Sequence, residues 1–168
     1  MLKELLNFEK NILLYLNSVN DWNSLLIDYE KPITERLWKN FNNHRVYLHR
    51  IYPCNKEEAF FHPHPWPSAI KIVNGTYEMF IGTSDNENRP KFKTKVVLTS
   101  GSYYEMLTSN EWHSVRPINN YTYSIMISGK PFIIGETPRQ SHLKPLSEEK
   151  KKEIFDFFLE NYTSSSNL

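Results

Sequence analysis

The sequence predicts an all-β antiparallel barrel or sandwich with helices before and after it. Three observations carry that prediction. From residue 45 onward, short β-branched and aromatic runs are punctuated by turn residues. Aromatic residues are abundant, at 10 Tyr, 10 Phe and 4 Trp, which suits packing on pleated surfaces. Helical periodicity is concentrated at the two ends of the chain.

Residues 2–17 place Leu2, Leu5, Leu6, Phe8, Ile12, Leu13 and Leu16 on one stripe, with Lys3, Glu4, Lys10 and Asn11 opposite. That pattern predicts an amphipathic helix packed on the main body. Asn20 or Asp21 can cap a second helical piece bearing Trp22, Leu25, Leu26 and Tyr29. After Pro32, residues 33–42 predict a third short helix through Ile33, Leu37, Trp38 and Phe41. The helical N-terminal segment is thus expected to run over residues 1–43.

Residues 45–52 change period and read as a strand ending at Pro53. Residues 54–59 are a polar loop. Residues 68–73 and 76–82 flank Asn74-Gly75, a hairpin signal of type I′. Residues 95–99, 102–107, 112–116 and 121–128 read as further strands, and 129–134 closes the β region. The barrel is therefore expected over 44–135, with the connection and final helix over 136–168. Ser147 opens that helix, whose apolar face is Ile154, Phe155, Phe158, Leu159 and Tyr162. No repeat or linker divides the chain, so all 168 residues are expected to form one domain.

The chemistry concentrates in Phe61-His62-Pro63-His64-Pro65-Trp66-Pro67. Residues two apart on a strand share a face, so His62 and His64 can aim at one point. Prolines 63, 65 and 67 deny ladder donors and keep the backbone extended, which places the segment at a sheet edge or strand entrance. His113, after the Ser109-Asn110-Glu111 turn, is the best third ligand in the same β block. Three neutral imidazoles hold a metal while leaving positions open for water, dioxygen or substrate. Each histidine alone also has a plainer reading, as a strand cap or a half-buried wall residue.

These residues resemble the two motifs of the cupin superfamily, G-x5-H-x-H-x3,4-E-x6-G and G-x5-P-x-G-x2-H-x3-N. His62-x-His64 is followed by Gly75 eleven residues on, and Gly101 by His113 twelve residues on. The resemblance covers residues 45–134. It implies a cupin-type antiparallel jelly-roll barrel, here with N-terminal helices and one C-terminal helix, and a metal in the mouth of the barrel. It maps the ligands onto His62, His64 and His113. The His-x-His-Pro-Trp run is also similar to a group of uncharacterised bacterial and phage cupin-like proteins, which implies no particular activity. Departures from the motifs are specific. Ser68 stands at the glutamate position, Leu107-Thr108-Ser109-Asn110 replaces Pro-x-Gly with one extra residue, and Pro117 replaces the asparagine. The remaining three-histidine set is similar to that of cupin thiol dioxygenases and some ring- or diketone-cleaving dioxygenases. Glu78 is the candidate substitute for the absent glutamate.

Arg45, Arg50 and Arg116 are candidates for holding a substrate carboxylate or phosphate, because guanidinium groups bind such anions bidentately. For each, a surface or ion-paired arginine is the simpler alternative. Arg45 and Arg50 face opposite sides of a regular strand, so at most one can enter the barrel. His49, Tyr77 and Trp66 complete the candidate substrate-binding set, with ordinary wall packing as the alternative.

The expected function is that of a metal-binding cupin: a three-histidine iron(II) dioxygenase acting on a small anionic substrate such as a thiol or enol. The alternatives are a non-catalytic small-molecule-binding barrel and a metal-dependent sugar isomerase or epimerase. Iron(II) is the expected metal, with zinc, nickel and manganese as alternatives. With 20 Lys+Arg against 19 Asp+Glu there is no basic footprint for nucleic acid. The single cysteine, Cys54, excludes an internal disulfide. The first residues lack a signal peptide's pattern, and no apolar run approaches a spanning helix. A cytoplasmic protein with a small-molecule partner, no nucleic acid and no membrane is expected; a homodimer stays open.

Overall fold

The computed structural model describes residues 1–84, 90–132 and 143–165. Two short helices, α1 (Leu2–Lys10) and α2 (Ile12–Tyr15), lead into ten strands. These are β1 (Asn23–Ile27), β2 (Thr34–Phe41), β3 (His44–Ile51), β4 (His62–Pro63) and β5 (Ser68–Asn74). They continue as β6 (Thr76–Ser84), β7 (Pro90–Thr99), β8 (Tyr103–Met106), β9 (Glu111–Pro117) and β10 (Thr122–Ser128), before helix α3 (Glu148–Ser165). One sheet has the order β1-β2-β3-β10-β5-β8 and the other β4-β9-β6-β7. Among the described residues every pairing between these strands is antiparallel. The chain forms the jelly-roll barrel expected of it, with a C-terminal helix on the outside. Among the described residues no helix is long and apolar enough to cross a membrane.

Side-chain alternation builds two cores from one sheet. Val46, Leu48, Ile125 and Ile127 point outward and are covered by Leu5 and Phe8 of α1 and by Ile154, Phe155 and Phe158 of α3. Tyr47, Ile70, Ile72 and Met126 point inward, where they meet Tyr77 and Met79 of the second sheet. Full burial of a side chain such as Phe8 or Phe158 contributes about 1.5–3 kcal/mol, so the helices are bound chiefly by these anchors. The polar anchor of α3 is a buried cluster. Glu35 of β2 accepts from Arg50 Nη2 at 2.5 Å and from Lys150 Nζ at 2.6 Å, and Arg50 Nη1 reaches Glu153 at 2.8 Å.

The structure corrects two expectations. The helices expected around residues 21–29 and 33–42 are strands β1 and β2. Apolar positions 33, 37, 38 and 41 fit a helical stripe, but the buried residues of β2 alternate, with Glu35 and Leu37 on one face. Pairing with β3 along its full length settles the conformation, and Asn42, at φ +52°, makes the two-residue turn between them. The Asn74-Gly75 pair is not a hairpin. β5 pairs with β10 and β8, and β6 pairs with β7 and β9, so the pair is the corner at which the chain changes sheets. Gly75 takes φ +95° there, and a Cβ would sit 2.7 Å from the Tyr121 carbonyl oxygen.

Candidate metal centre

The proline-rich segment makes a minimal strand. Only His62 and Pro63 pair with β9, opposite His113 and Trp112 respectively. The prolines have no N–H to extend the ladder. Their carbonyls still accept: Pro65 O from Phe132 N at 2.9 Å, and Pro67 O from Gly129 N at 2.8 Å. The segment is therefore pinned at both ends while its side chains turn into the barrel mouth.

Register brings the three histidines together. His62 and His113 are direct cross-strand partners, with ring centroids 4.9 Å apart, and the His64 ring lies 4.6 Å from that of His113. One ligand nitrogen from each lies within 4.8 Å of the others, a cluster that can hold a metal ion. The hydrogen bonds fit that use. His62 Nδ1 donates to the Phe60 carbonyl at 3.0 Å, and His64 Nδ1 pairs with Ser68 Oγ at 2.8 Å. Both contacts leave Nε2 free, which is how metal-ligating histidines are ordinarily oriented. His113 Nδ1 is buried and has no hydrogen-bond partner. Burial holds all three imidazoles neutral. His64 is brought down to about 3, with the neighbouring His62 and Arg36 adding to desolvation. His62 and His113 are lowered for the same first reason. Neutral imidazole is the ligating form, so the donor set suits a divalent cation.

Ser68 occupies the position of the motif's glutamate and is fully buried. It touches the cluster through His64, so the departure from the motif exchanges a carboxylate for a group that orients a ligand. Glu78 does not replace it. Its carboxylate lies on the outer side of β6, paired with Arg116 Nη2 at 2.6 Å and Lys95 Nζ at 3.0 Å. Its partners there, Arg116 first, hold its carboxyl below the usual range.

The cluster opens onto a cavity of about 1080 Å³. Its far wall comes from the larger sheet in two registered rows. Met126, Ile70 and Tyr104 line it from one row, which continues away from the cavity through Tyr47 and Trp38. Arg36, His49 and Ser124 form the next row, with His49 Nδ1 3.3 Å from Ser124 Oγ. Tyr77 closes the space from the second sheet and donates its hydroxyl to Tyr104 at 2.8 Å. The Tyr104 ring lies 6.1 Å from that of His113. Burial raises both phenols, Tyr77 well above its ordinary value. Trp66 lines the mouth, and its indole Nε1 is buried without a partner.

Of the residues singled out for substrate, His49, Tyr77 and Trp66 line this cavity. The three arginines do not. Arg45 is exposed and lies over the Trp38 ring at 4.4 Å. Arg50 faces α3 and is held by Glu35 and Glu153. Arg116 is bound to Glu78. Among the described residues the arginine lining the cavity is Arg36, which the helical reading of residues 33–42 concealed. Read as a strand, Glu35-Arg36-Leu37-Trp38 puts Arg36 on the face opposite two buried residues, and that alternation is the signal that could have found it.

No protein-family model matches the sequence, and no curated protein matches it. Solved structures do match. An Fe(II)-HppE structure with the alternative substrate (S)-1-HPP has TM-score 0.53 at 13% identity, over 67% of this chain and 58% of that one. Hydroxypropylphosphonic acid epoxidase from S. wedmorenis has TM-score 0.51 at 15% identity, over 67% and 57%. The fold is a cupin-type jelly roll. The chain spans less than two thirds of the length of these enzymes, and at such identity the likeness is one of fold. Within this cupin-type barrel the histidine cluster lies where β4 and β9 meet, at the open end of the cavity.

Proposed function

We propose that the chain is a metal-binding cupin whose His62, His64 and His113 hold iron(II), and that it catalyses a dioxygen-dependent reaction of a small molecule that ligates as an anion. The observation that carries this reading is the convergence of three neutral imidazoles, His113 buried and His62 and His64 half-buried, on one point at the mouth of a large cavity. The fold is shared with an enzyme described as an Fe(II) protein, which supports iron over zinc, nickel or manganese. When bound by three neutral imidazoles, iron(II) keeps its double positive charge and open positions, and so supplies Lewis acidity and one-electron chemistry with dioxygen. The chain's own part is positional. Phe60 to Ser68 hold the ligands, the Tyr77–Tyr104 pair offers a phenolic proton beside His113, and Trp66 and Trp112 wall the mouth against water.

The test is oxygen uptake by iron(II)-loaded protein with a panel of small thiol and enol acids. Uptake that depends on both iron and one of these substrates is the expected result. One iron per chain with no uptake for any of them would remove the oxygenase reading. Oxygen-insensitive turnover abolished by chelators would point to the sugar isomerase alternative, and ligand binding that survives metal removal to a binding module.

A further inference from the structure

We propose that the substrate is an amphiphile: its anionic head ligates the three-histidine centre, and a hydrocarbon arm lies along the inner face of β1 and the apolar rim beside Phe60. The inference deepens the functional reading above and rests on it for the head.

The cavity is larger than a small acid requires. Its volume of about 1080 Å³ matches the largest pockets that enclose drug-sized ligands. A thiol or enol acid of a few atoms would leave most of that space to water. Much of the wall on the β1 side is apolar. Leu25 and Ile27 of β1 share a face and stand opposite Arg36 and Thr34 of β2, on the cavity side of the larger sheet. Ile27, Thr34 and buried Ile51 make a registered row across three strands. Two steps between neighbouring strands give this row a length of roughly 10 Å. Thr34 donates its hydroxyl to the Pro32 carbonyl at 3.2 Å, so the row offers no free donor. The Arg36 guanidinium turns away from it, over the Tyr47 ring, which register places on the other side of Arg36 from Thr34 and Ile51.

This apolar side adjoins the metal ligands. Phe60 N donates to the Lys31 carbonyl at 2.8 Å, which fastens the β1–β2 connection beside the histidine segment. The Phe60 ring stacks on His62, with centroids 5.3 Å apart. Tyr29, Phe60 and Phe132 all border the cavity and are exposed. Large apolar side chains kept in water around one opening mark a place where something apolar is received. Polar pairs lie on other strands, His49 with Ser124 on β3 and β10, and Tyr77 with Tyr104 on β6 and β8. Among the described residues, charge past the end of β1 is confined to Glu30 and Lys31 of the connection. An anionic head at a divalent ion and an apolar arm toward β1 fit that division. A sugar, polar all round, would leave Leu25, Ile27 and Phe60 facing hydroxyls.

The test uses cobalt(II)-loaded protein titrated with butanohydroxamate and octanohydroxamate, followed by cobalt absorption. The two probes share a metal-ligating head and differ only in methylenes. Each methylene taken fully out of water is worth about fourfold in affinity, so even a partly open rim should favour the octanoyl probe at least about tenfold. In the double variant Leu25→Asn, Ile27→Asn the two should bind within about threefold of each other, while Val97→Asn, on the exposed outer side of β7, keeps the full preference. If the double variant does not fold, Ile27→Thr should lower the preference at least about twofold. No preference in the wild type, or a preference that these β1 substitutions leave unchanged, overturns the proposal. If cobalt does not load, the metal reading fails and the arm is judged alone. Quenching of tryptophan fluorescence by octanoate at about tenfold lower concentration than butyrate, lost in the β1 variant, would then support it, and equal quenching by the two would overturn it.

Discussion

At His64 the decisive atom is the one that faces away from the cluster. Its Nδ1 is tied to Ser68 Oγ, which fixes the ring and presents Nε2. Ser68→Ala should therefore keep one metal per chain but weaken it on the order of 10–100-fold, read by competition with a chromogenic chelator. Glu78→Gln should leave metal affinity unchanged, because its carboxylate is engaged with Arg116 and Lys95 on the outer face. Its effect on stability should not exceed about 1 kcal/mol. The desolvated histidines also set a pH dependence. His49, His62, His64 and His113 all lie below the ordinary 6.5, so the unfolded chain binds more protons than the folded one once pH falls below that value. The stability of metal-free protein should hold above pH 7 and fall steadily from about 6.5 to 5, as thermal melts across that range would register. The three histidines were legible in the sequence because spacing of two on a strand and a third after a turn leave little freedom. Arg36 was not, because its visibility depended on knowing that β2 is a strand.

The elements show where sequence pattern stops deciding. Residues 33–42 satisfy a helical stripe and a strand alternation about equally, and the fully paired β3 alongside selects the strand. The later strands were legible because β-branched and aromatic runs bounded by turns have no helical rival. Asn74-Gly75 named a tight turn correctly in chemistry but not in role, since a hairpin and a sheet-changing corner ask for the same positive φ. Gly75→Ala should destabilise the fold by about 1–3 kcal/mol, seen as a lower urea midpoint, because the new Cβ meets the Tyr121 carbonyl in a backbone region that L-residues avoid. Glu35→Ala strikes the α3 anchor. It leaves buried Arg50 with the half-exposed Glu153 as its one carboxylate and should cost about 3 kcal/mol, and Glu35→Gln should restore only part of that loss.

The whole molecule is a barrel with its apolar mass divided between an outer layer under the helices and an inner layer that stops short of the mouth. That division leaves the cavity open above Ile70, Tyr77 and Met126, and the cluster of histidines sits at its entrance. A metal bound there joins β4 to β9 and ties the proline segment to the second sheet, so folding and binding are linked. Metal at a hundredfold excess over its dissociation constant should add about 2.7 kcal/mol to stability. The most direct measurement is elemental analysis of purified, iron(II)-reconstituted wild type beside His113→Ala. The account predicts about one iron per chain in the wild type and none retained after gel filtration in the variant, with both proteins folded. Equal metal in the two, or none in the wild type, would contradict it.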